Sequence, residues 1–401
     1  MNLTLVKGNS KRAPKQFTRI KLTDEARGTK RFVREKELET LEIGAGKPVE
    51  MNIRKFIILC RSIIQLAKAN KCKKIAIQFD STPELFKNLK GISPEDISQV
   101  AAENFEMANF EFNMFKTKPK EGWHTVEKIL LYGKSSPAIE KAVRKGQEIG
   151  KAVNACRTLA NTPGGDITPT TLAKAAKAAM KGLPVKVTTL GAKDMKKLGM
   201  LALLGVAKGS TEEPTFTILE YKGGKGSPIV LAGKGVTFDS GGLNLKPSNG
   251  MYEMHMDMSG AASVIHAVAL AARLKIRKSV IGLLPAVENM PGNNAYRPGD
   301  ILKSLSGKTI EVLDTDAEGR IILADALTYA KRFKPSVVID VATLTSAAIS
   351  ALGLHASAVL TRDDALAQQI SDAGEASGDY VWRLPLWDEY EERVKGEFAD
   401  I

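Results

Sequence analysis

Short apolar runs alternate with amphipathic stretches between residues 167 and 360 of this chain. The runs are dominated by Val, Ile and Leu, as is typical of strands buried on both faces of a sheet, and the stretches between them have helical spacing. This alternation predicts an α/β sheet that is covered by helices on both faces. We predict strands at 185–190, 215–221, 229–232, 279–286, 309–313, 336–342 and 356–360, and helices at 171–180, 193–197, 260–274, 320–333 and 347–352.

The first part of the chain alternates less regularly. A helical pattern begins at Phe56, residues 74–79 form a short buried strand followed by a turn, and residues 92–110 form a further helix. A long helix over residues 138–158 then connects the two parts of the chain and ends before a Pro-Gly-Gly turn.

These patterns predict two domains. Residues 1–150 form a smaller, basic N-terminal α/β domain, and residues 151–401 form a C-terminal α/β domain with a mixed central sheet covered by helices. A chain of 401 residues is long enough to bury a separate core in each domain.

Composition excludes several classes of protein. Hydrophobic residues make up 43% and charged residues 26% of the chain, values that are unlike those of disordered, collagen-like or coiled-coil proteins. No apolar run approaches the ~18–20 residues of a membrane span, and the polar, basic start shows no secretory signal. Three cysteines form no disulfide framework. We therefore expect a cytoplasmic protein with reduced thiols and no membrane association.

The positive charge is concentrated in the first domain. Residues 1–150 carry 29 Lys and Arg against 18 Asp and Glu, whereas residues 151–401 carry 29 against 27. Such an excess is found in domains that bind nucleic acid and also on lysine-rich solvated surfaces. No nucleic-acid motif or aromatic interleaving accompanies the charge, so we favour the solvated surface. A nucleic-acid-binding or regulatory protein that uses this domain remains the alternative function.

Carboxylates follow the strands of the second domain, where open α/β sheets bind their ligands. Asp239 lies in a glycine-rich loop after a strand, Asp257 precedes a helix, and Asp314, Asp316 and Glu318 lie between a strand and a helix. Grouped carboxylates repel one another unless cations neutralise them, and hard oxygen ligands suit divalent ions. Each aspartate taken singly fits a helix cap better than a metal ligand, but the five acids together predict a metal site.

Other chemistries fit the sequence less well. The glycines around Lys234 lack the Gly-Lys-Ser/Thr ending of a phosphate-binding loop. Cys156 falls in a helical pattern, and Ser240 lacks the Gly-x-Ser-x-Gly surroundings of a nucleophilic serine. Of the four histidines, only His255 lies near the acidic residues. A two-metal phosphoesterase remains a further alternative.

Five blocks of the second domain resemble the leucyl aminopeptidase family, the two-metal cytosolic exopeptidases of the M17 type. The most specific block is Asp-Thr-Asp-Ala-Glu-Gly-Arg-Ile at 314–321, where the family signature reads Asn-Thr-Asp-Ala-Glu-Gly-Arg-Leu. The resemblance is strong from about residue 150 onwards. Before it, the similarity is limited to the presence of an α/β domain ahead of the catalytic one. The resemblance therefore implies that residues 151–401 are a catalytic metallopeptidase domain. The other blocks, in the family's order, are 233–247, 256–262, 288–291 with 296–300, and 341–345.

The resemblance implies two divalent metal ions, Mn²⁺ or Zn²⁺, and assigns their ligands. Asp257 and Lys234 would belong to the more tightly held site, and Asp239 and Glu318 would bridge or share both metals. Asp316 would complete the more readily exchanged site. A lysine ligand must be a neutral amine, a form that neighbouring cations favour.

The resemblance also implies the catalytic groups. Lys246 would polarise the scissile carbonyl and stabilise its oxyanion, while Arg320 would hold a bicarbonate that acts as general base. A metal-bound water would be the nucleophile. Met254 and Thr343 would form walls of the substrate side-chain pocket. The implied reaction is release of N-terminal amino acids, with leucine-like preference, from peptides that have a free N-terminus.

The sequence departs from the family pattern in three places. Asp314 replaces the family asparagine, which either alters metal preference or is a harmless change close to the site; we favour the latter. Ser346 stands where the family has glycine and could narrow the pocket. The segment ending at Ile401 looks like the start of a longer family segment, so we expect a C-terminally truncated chain. The resemblance implies a homohexamer of two facing trimers for the full-length protein.

Overall fold

The computed structural model describes residues 2–5, 14–35, 38–78, 89, 91–132 and 136–401. These residues form two compact units, one of residues up to Asn154 together with His355–Arg383, and the other of Ala155–Leu354 together with Leu384–Ile401. The boundary predicted from the sequence, between residues 150 and 151, stays a prediction. The last residue of the strand predicted at 74–79 and the turn after it lie outside the described residues.

Helices and strands alternate along the described chain. The strands are β1 (Asn2–Leu5), β2 (Thr18–Thr23), β3 (Lys30–Glu35), β4 (Leu38–Gly44), β5 (Lys74–Gln78), β6 (Lys128–Tyr132), β7 (Val185–Leu190), β8 (Thr215–Tyr221), β9 (Ile229–Gly233), β10 (Gly235–Asp239), β11 (Val280–Asn289), β12 (Ile301–Lys303), β13 (Thr309–Glu311), β14 (Val337–Val341), β15 (Ser357–Val359) and β16 (Val381–Arg383). The helices are α1 (Ile53–Ala69), α2 (Pro94–Ala108), α3 (Pro137–Asn161), α4 (Pro169–Ala179), α5 (Ala192–Leu198), α6 (Leu201–Val206), α7 (Ser248–Met251), α8 (Ser259–Arg273), α9 (Glu318–Ala330), α10 (Ala347–Leu352) and α11 (Asp364–Ser377). The structure is therefore of the predicted mixed α/β class.

The first unit contains a six-stranded sheet and a small parallel sheet of β15 and β16. The strand order of the six-stranded sheet is β1-β6-β5-β2-β4-β3, and every neighbouring pair is parallel except β3 and β4. The helix predicted from Phe56 is α1, which begins after Asn52, whose side chain accepts a hydrogen bond from the backbone of Lys55. The helix predicted at 92–110 is α2, and Ser93 just before it accepts a hydrogen bond from the backbone of Asp96.

The second unit contains a mixed sheet with the strand order β14-β9-β11-β8-β7, and β10 also pairs with β11. Strands β14, β9 and β11 run parallel, whereas β11, β8 and β7 are antiparallel neighbours. The glycine-rich segment after β9 was expected to be a loop, and this is wrong for Gly235–Asp239, which form β10. Its glycine lets the strand approach β11, since a Cβ on Gly235 would meet the carbonyl oxygen of Pro285.

Helices cover both faces of this second sheet, as predicted. Ile281 and Leu283 of β11 point into a core formed with α6 and α9. Their neighbours Val280 and Leu284 point into a separate core formed with α4 and α8. Successive side chains of a strand face opposite sides, so a continuous apolar run supplies both cores.

Asp325 ties three elements of this unit together. It is fully buried on α9, and its two carboxylate oxygens accept hydrogen bonds from the backbone N–H groups of Leu203, at 2.9 Å, and Leu305, at 2.7 Å. We expect Asp325→Ala to lower the free energy of unfolding by about 3 kcal/mol, because the N–H groups of buried Leu203 and half-buried Leu305 lose their acceptor. Urea unfolding measures this. Thr328→Ala on the same helix removes only a local hydroxyl bond to Ala324 and should cost under about 1 kcal/mol; equal losses would contradict the account.

Candidate metal centre

The functional residues predicted from the sequence lie where strands and turns of the second unit end. Lys234 separates β9 from β10, and Asp239 ends β10. Asp257 follows a 3-10 turn and precedes α8, while Glu318 is the first residue of α9. Asp316 lies in the 3-10 turn just before α9. Distant parts of the chain therefore bring these side chains to one place.

Lys234 forms one group with two buried carboxylates. Its Nζ lies 2.8 Å from Oδ2 of Asp257 and 2.8 Å from Oε1 of Glu318. The same ammonium donates to the carbonyl oxygen of Thr343 at 2.9 Å, and the Thr343 hydroxyl donates to Oδ1 of Asp257 at 2.7 Å. Burial acts to lower the pKa of Lys234, but the charges of Asp257 and Glu318 outweigh it and the pKa is raised.

Lys246 forms a second group with Asp239 and Asp316. Its Nζ lies 2.9 Å from Oδ2 of Asp239 and also pairs with Oδ1 of Asp316. Burial opposes the charge on Lys246, but hydrogen bonds to the two aspartates raise its pKa above the ordinary value. Lys246 is therefore a cation in this arrangement.

The two groups meet at a cluster of carboxylates. Oxygen atoms of Asp239, Asp316 and Glu318 all lie within 4.8 Å of one another. Glu318 is only 1% exposed, and its Oε2 is buried without a hydrogen-bond partner among the described residues. An unpartnered carboxylate oxygen beside two further carboxylates is a site that a cation would stabilise. These hard oxygen donors fit divalent metal ions.

The pKa values of the buried carboxylates reflect their surroundings. Burial raises the pKa of Asp257 to about 6, although Lys234 acts in the opposite direction. Burial raises the pKa of Glu318 to about 7, and the neighbouring charges of Asp239 and Asp257 add to the rise. Grouped carboxylates with raised pKa values are typical of functional sites.

Residues behind the carboxylates, which the sequence analysis did not single out, hold them in place. Asn289 Nδ2 donates to Oδ1 of Asp239 at 2.8 Å and to the carbonyl oxygen of Thr315 at 2.9 Å. The hydroxyl of Tyr296, a fully buried residue, donates to the same carbonyl at 2.7 Å. Asn289 lies in the segment 288–291 and Tyr296 in the segment 296–300, both of which resemble the family. This resemblance was the one sequence feature that could have pointed to these two residues. Their contacts could not be read from spacing.

Gly241 shapes the loop that carries Lys246. Its φ is +87°, a conformation that favours glycine, and a Cβ there would lie 2.9 Å from Oδ1 of Asp316. The backbone N–H of Gly241 also donates to Oδ1 of Asp239 at 2.9 Å. Glycine at this position therefore allows the loop to turn close to both aspartates.

The remaining predicted residues have fewer contacts or none with the residues described above. Arg320 is exposed on α9 and makes no hydrogen bond or ion pair within the part of the chain that the structure describes. Met254 is half-buried at the start of the 3-10 turn that leads to Asp257. Ser346 is exposed immediately before α10. Thr343, expected as a pocket wall, also contacts Asp257 and Lys234 directly.

Asp314 caps the turn that carries Asp316. Its side chain is exposed, and Oδ1 accepts a hydrogen bond from the backbone N–H of Asp316 at 2.9 Å. Asparagine can accept the same bond. We therefore expect Asp314→Asn to change kcat/KM for the peptidase reaction that the family resemblance implies by less than about threefold, since an exposed charge in water interacts weakly. A larger change in steady-state kinetics would instead show that this charge acts on the site.

Cys156 is not placed as a nucleophile. Its Sγ lies 3.6 Å from the hydroxyl oxygen of Ser263, and burial raises the pKa of its thiol. A buried thiol with a raised pKa is a weak nucleophile.

The second unit combines a mixed sheet covered by helices with a cluster of three carboxylates. These features define the class of the protein: an α/β protein with a candidate metal centre. The catalytic-domain model of the cytosol aminopeptidase family matches residues 154–401, and the N-terminal-domain model of the same family matches residues 36–119. The chain belongs to the cytosol aminopeptidase family. The second match extends the relationship into the first domain, where the sequence analysis found only a similar layout.

Individual relatives agree with this assignment. The chain is 51% identical over 275 residues to the probable cytosol aminopeptidase of Aromatoleum aromaticum strain EbN1, covering 68% of this chain and 55% of that protein. It is 47% identical over 313 residues to that of Nitrosospira multiformis, covering 76% of this chain and 60% of the relative. The chain thus spans little more than half the length of these relatives.

A solved structure is similar over almost the whole chain. The bottromycin maturation enzyme BotP in complex with Mn is 29% identical and superposes with a TM-score of 0.83, covering 96% of this chain and 84% of that one.

None of the helices among the described residues is long and apolar enough to cross a membrane.

Proposed function

We propose that this protein is a two-metal aminopeptidase, a hydrolase that releases N-terminal amino acids from peptides. The carboxylate cluster of Asp239, Asp316 and Glu318, with its unpartnered buried oxygen, is the observation that carries this proposal. Membership of the cytosol aminopeptidase family supports it. The nucleic-acid-binding alternative rests on the positive charge of residues 1–150 alone.

The proposed metal ligands are Lys234 and the carboxylates that pair with Lys234 or Lys246 in this structure. Lys234 and Asp257 would hold one ion, Asp316 would hold the other, and Asp239 and Glu318 would contact both. Lys234 must lose its proton to bind a metal, so we expect metal binding to release protons. BotP was solved in complex with Mn, which supports Mn²⁺ for this chain, and Zn²⁺ remains an equal expectation from the family resemblance.

The bound metals would supply Lewis acidity and an activated water. Around them, Lys246 is a fixed cation that can donate a hydrogen bond to the scissile carbonyl and stabilise the negative charge that develops on its oxygen. Arg320 is exposed two residues after Glu318, and it would hold a bicarbonate as general base. Met254 and Thr343 would contact the substrate side chain.

The substrate class follows from the same proposal. A free α-amino group would bind the cluster and restrict cleavage to N-terminal residues, with leucine-like side chains preferred. We further propose that the protein acts in the cytoplasm and that its full-length form assembles as a homohexamer.

The proposal is tested by hydrolysis of an unblocked leucyl anilide after removal of metal and re-addition of Mn²⁺ or Zn²⁺. We expect metal-dependent release of the aniline and no release from the N-acetylated substrate, which lacks the free amine. Hydrolysis that survives metal removal, or equal hydrolysis of the acetylated substrate, would contradict the proposal.

A further inference from the structure

A loop of the first unit carries both apolar and basic side chains at the protein surface. It covers residues 112–120 and follows α2, and it lies far along the chain from the candidate metal centre. The 112–120 loop contains no acidic residue. Its large apolar residues are Phe112, Met114 and Phe115, and its basic residues are Lys116, Lys118 and Lys120.

A tight turn places Met114 and Phe115 at the tip of this loop. The backbone N–H of Lys116 donates to the carbonyl oxygen of Asn113 at 3.0 Å, so Met114 and Phe115 are the two central residues of the turn. Met114 is 60% exposed and Phe115 is 58% exposed. Central turn positions are usually taken by glycine, proline or short polar residues. Packing within the fold therefore does not account for two large apolar side chains at this tip.

The positive charge of the loop is not neutralised within the chain. The side chains of Lys116, Lys118 and Lys120 are exposed and form no ion pair with any residue that the structure describes. Three uncompensated cations so close together in the sequence attract a negatively charged surface.

The acidic residues on either side of the loop are engaged by lysines outside it. Glu111 pairs with Lys68 of α1, and Oε2 of Glu121 lies 3.1 Å from Nζ of Lys71, just after α1. These two pairs hold both ends of the loop close to the end of α1. They also leave the lysines between them without a neighbouring free carboxylate.

Further contacts order the loop before any partner arrives. Both amide atoms of Asn109 bond to Val126, with Nδ2 donating to its carbonyl at 2.8 Å and Oδ1 accepting from its N–H at 2.9 Å. These bonds close the base of the segment that carries the loop. The ring of half-buried Phe112 lies 6.0 Å from the ring of Phe115, between centroids. A preordered tip loses little conformational entropy on binding.

The size of the exposed tip argues against a protein partner, and its side chains argue against nucleic acid. Stable protein interfaces bury about 800 Å² on each partner, which two side chains at a turn do not supply. Single-stranded nucleic acid stacks its bases on aromatic faces. Met114 has no such face, and the Phe115 ring is tilted by 54° against that of Phe112.

The surface of an anionic bilayer fits both features of the loop. Its interface accepts individual apolar side chains, and its anionic headgroups attract lysines. We propose that the 112–120 loop docks this protein on an anionic lipid bilayer, with Met114 and Phe115 inserted between the headgroups and the three loop lysines on the anionic groups.

This docking requires no membrane-spanning segment. The expectation of no membrane association rested on the lack of an apolar run long enough to span a bilayer, and the proposed peripheral contact revises it. The cytoplasmic leaflet carries the anionic lipids of a cell membrane, so the docking is compatible with the proposed location of the protein.

Sedimentation with sucrose-loaded vesicles tests the proposal. Vesicles of phosphatidylcholine with about 30% phosphatidylserine are compared with vesicles of phosphatidylcholine alone, in about 0.1 M NaCl. We expect the wild-type protein to bind the anionic vesicles at least tenfold more tightly than the neutral ones, because the loop lysines have anionic partners only there.

The tip is tested with the double variant Met114→Ser/Phe115→Ser. Binding to the anionic vesicles should weaken at least tenfold, because the apolar area that enters the bilayer is lost. The variant should fold, since both side chains are exposed. Phe32→Ser is the matched control, since Phe32 is an exposed phenylalanine on β3 of the same unit, and it should bind within about twofold of wild type.

The charge is tested by changing all three loop lysines to Gln. Binding should weaken about a hundredfold, since each lysine near an anionic surface contributes about fivefold. The control removes the same charge from three exposed lysines in and just after α4, Lys174, Lys177 and Lys181. It should bind within about threefold of wild type, because screening by salt limits charges far from the contact.

Insertion of the tip is measured with Phe115→Trp. Brominated phosphatidylcholine in the anionic vesicles quenches tryptophans that enter the bilayer, so the variant should lose more of its emission than the wild-type protein with its three native tryptophans. Equal quenching of the two proteins would contradict insertion.

Other outcomes would also overturn the proposal. These are no binding to the anionic vesicles, equal binding to the neutral ones, or unchanged binding in Met114→Ser/Phe115→Ser. A wild-type protein that ignores the vesicles but binds a single-stranded oligonucleotide, or forms a dimer that the double variant breaks, would assign the tip to another partner. None of these measurements depends on bound metal or on peptidase activity.

Discussion

Glu318→Ala should reduce hydrolysis of a leucyl anilide by roughly a thousandfold or more. Loss of a residue that only supports a metal ligand typically costs about 10–100-fold, and a ligand that contacts both metals should cost more. Glu318 is 1% exposed, and its Oε1 lies 2.8 Å from Nζ of Lys234. Its Oε2 is buried without a hydrogen-bond partner among the described residues, and the residue belongs to the cluster with Asp239 and Asp316. Removing the Glu318 side chain therefore removes a ligand that the two proposed ion sites share.

Asp314→Asn is the matched control for Glu318→Ala. It removes one negative charge four residues away but preserves the bond to the backbone of Asp316. Metal content, measured after dialysis, should fall in Glu318→Ala and remain at the wild-type level in Asp314→Asn. Full activity of a folded Glu318→Ala protein would contradict the proposed site.

Gly319→Ala should lower kcat/KM by about a hundredfold while leaving the fold intact. A Cβ at this position would lie 2.7 Å from Cε, 2.8 Å from Nζ and 2.9 Å from Cδ of Lys234. Lys234 is buried and held by Asp257 and Glu318, so it can yield only by leaving these partners. A displacement of about 1 Å in a catalytic group commonly costs this much activity.

The effect of Gly319→Ala should be separable from a loss of stability. Alanine favours helix over glycine by about 1 kcal/mol, which offsets part of the packing cost in α9. Gly165→Ala is the control, because a Cβ there meets no atom within 4 Å. Circular dichroism should show similar melting for both variants, with activity lost only in Gly319→Ala. Equal activity in the two variants would contradict the role given to the close approach of Gly319 and Lys234.

Periodicity predicted much of the second unit. The strand expected at 185–190 is β7 and the strand expected at 215–221 is β8, with the same bounds. The run in β8 is almost entirely buried, so pattern and environment agree there. No residue of β7, at the edge of the sheet, is buried. The acidic residues also come together as expected, although only Asp239 lies at the end of a strand. Asp257 follows a 3-10 turn, Asp316 lies within another, and Glu318 begins α9.

Other features depend on contacts between distant residues, which no local pattern encodes. Strands β2, β3 and β4 of the first unit were not predicted, since charged residues interrupt them, and Lys21 of β2 reaches Glu42 of β4 at 2.7 Å only once the strands pair. The support that Asn289 gives to Asp239 crosses 50 residues of sequence. The lysine ligand was implied by family resemblance alone, because lysine spacing carries no metal signature.

The proposed two-metal centre is tested most directly by counting the ions that it binds. The chain is freed of metal with a chelator, the chelator is removed, and the protein is equilibrated by dialysis against increasing Mn²⁺, with bound manganese measured per chain. We predict two ions per chain in the wild-type protein, in two steps of different affinity, and fewer in Glu318→Ala. Binding of no ion, or the same number of ions in both proteins, would contradict the account.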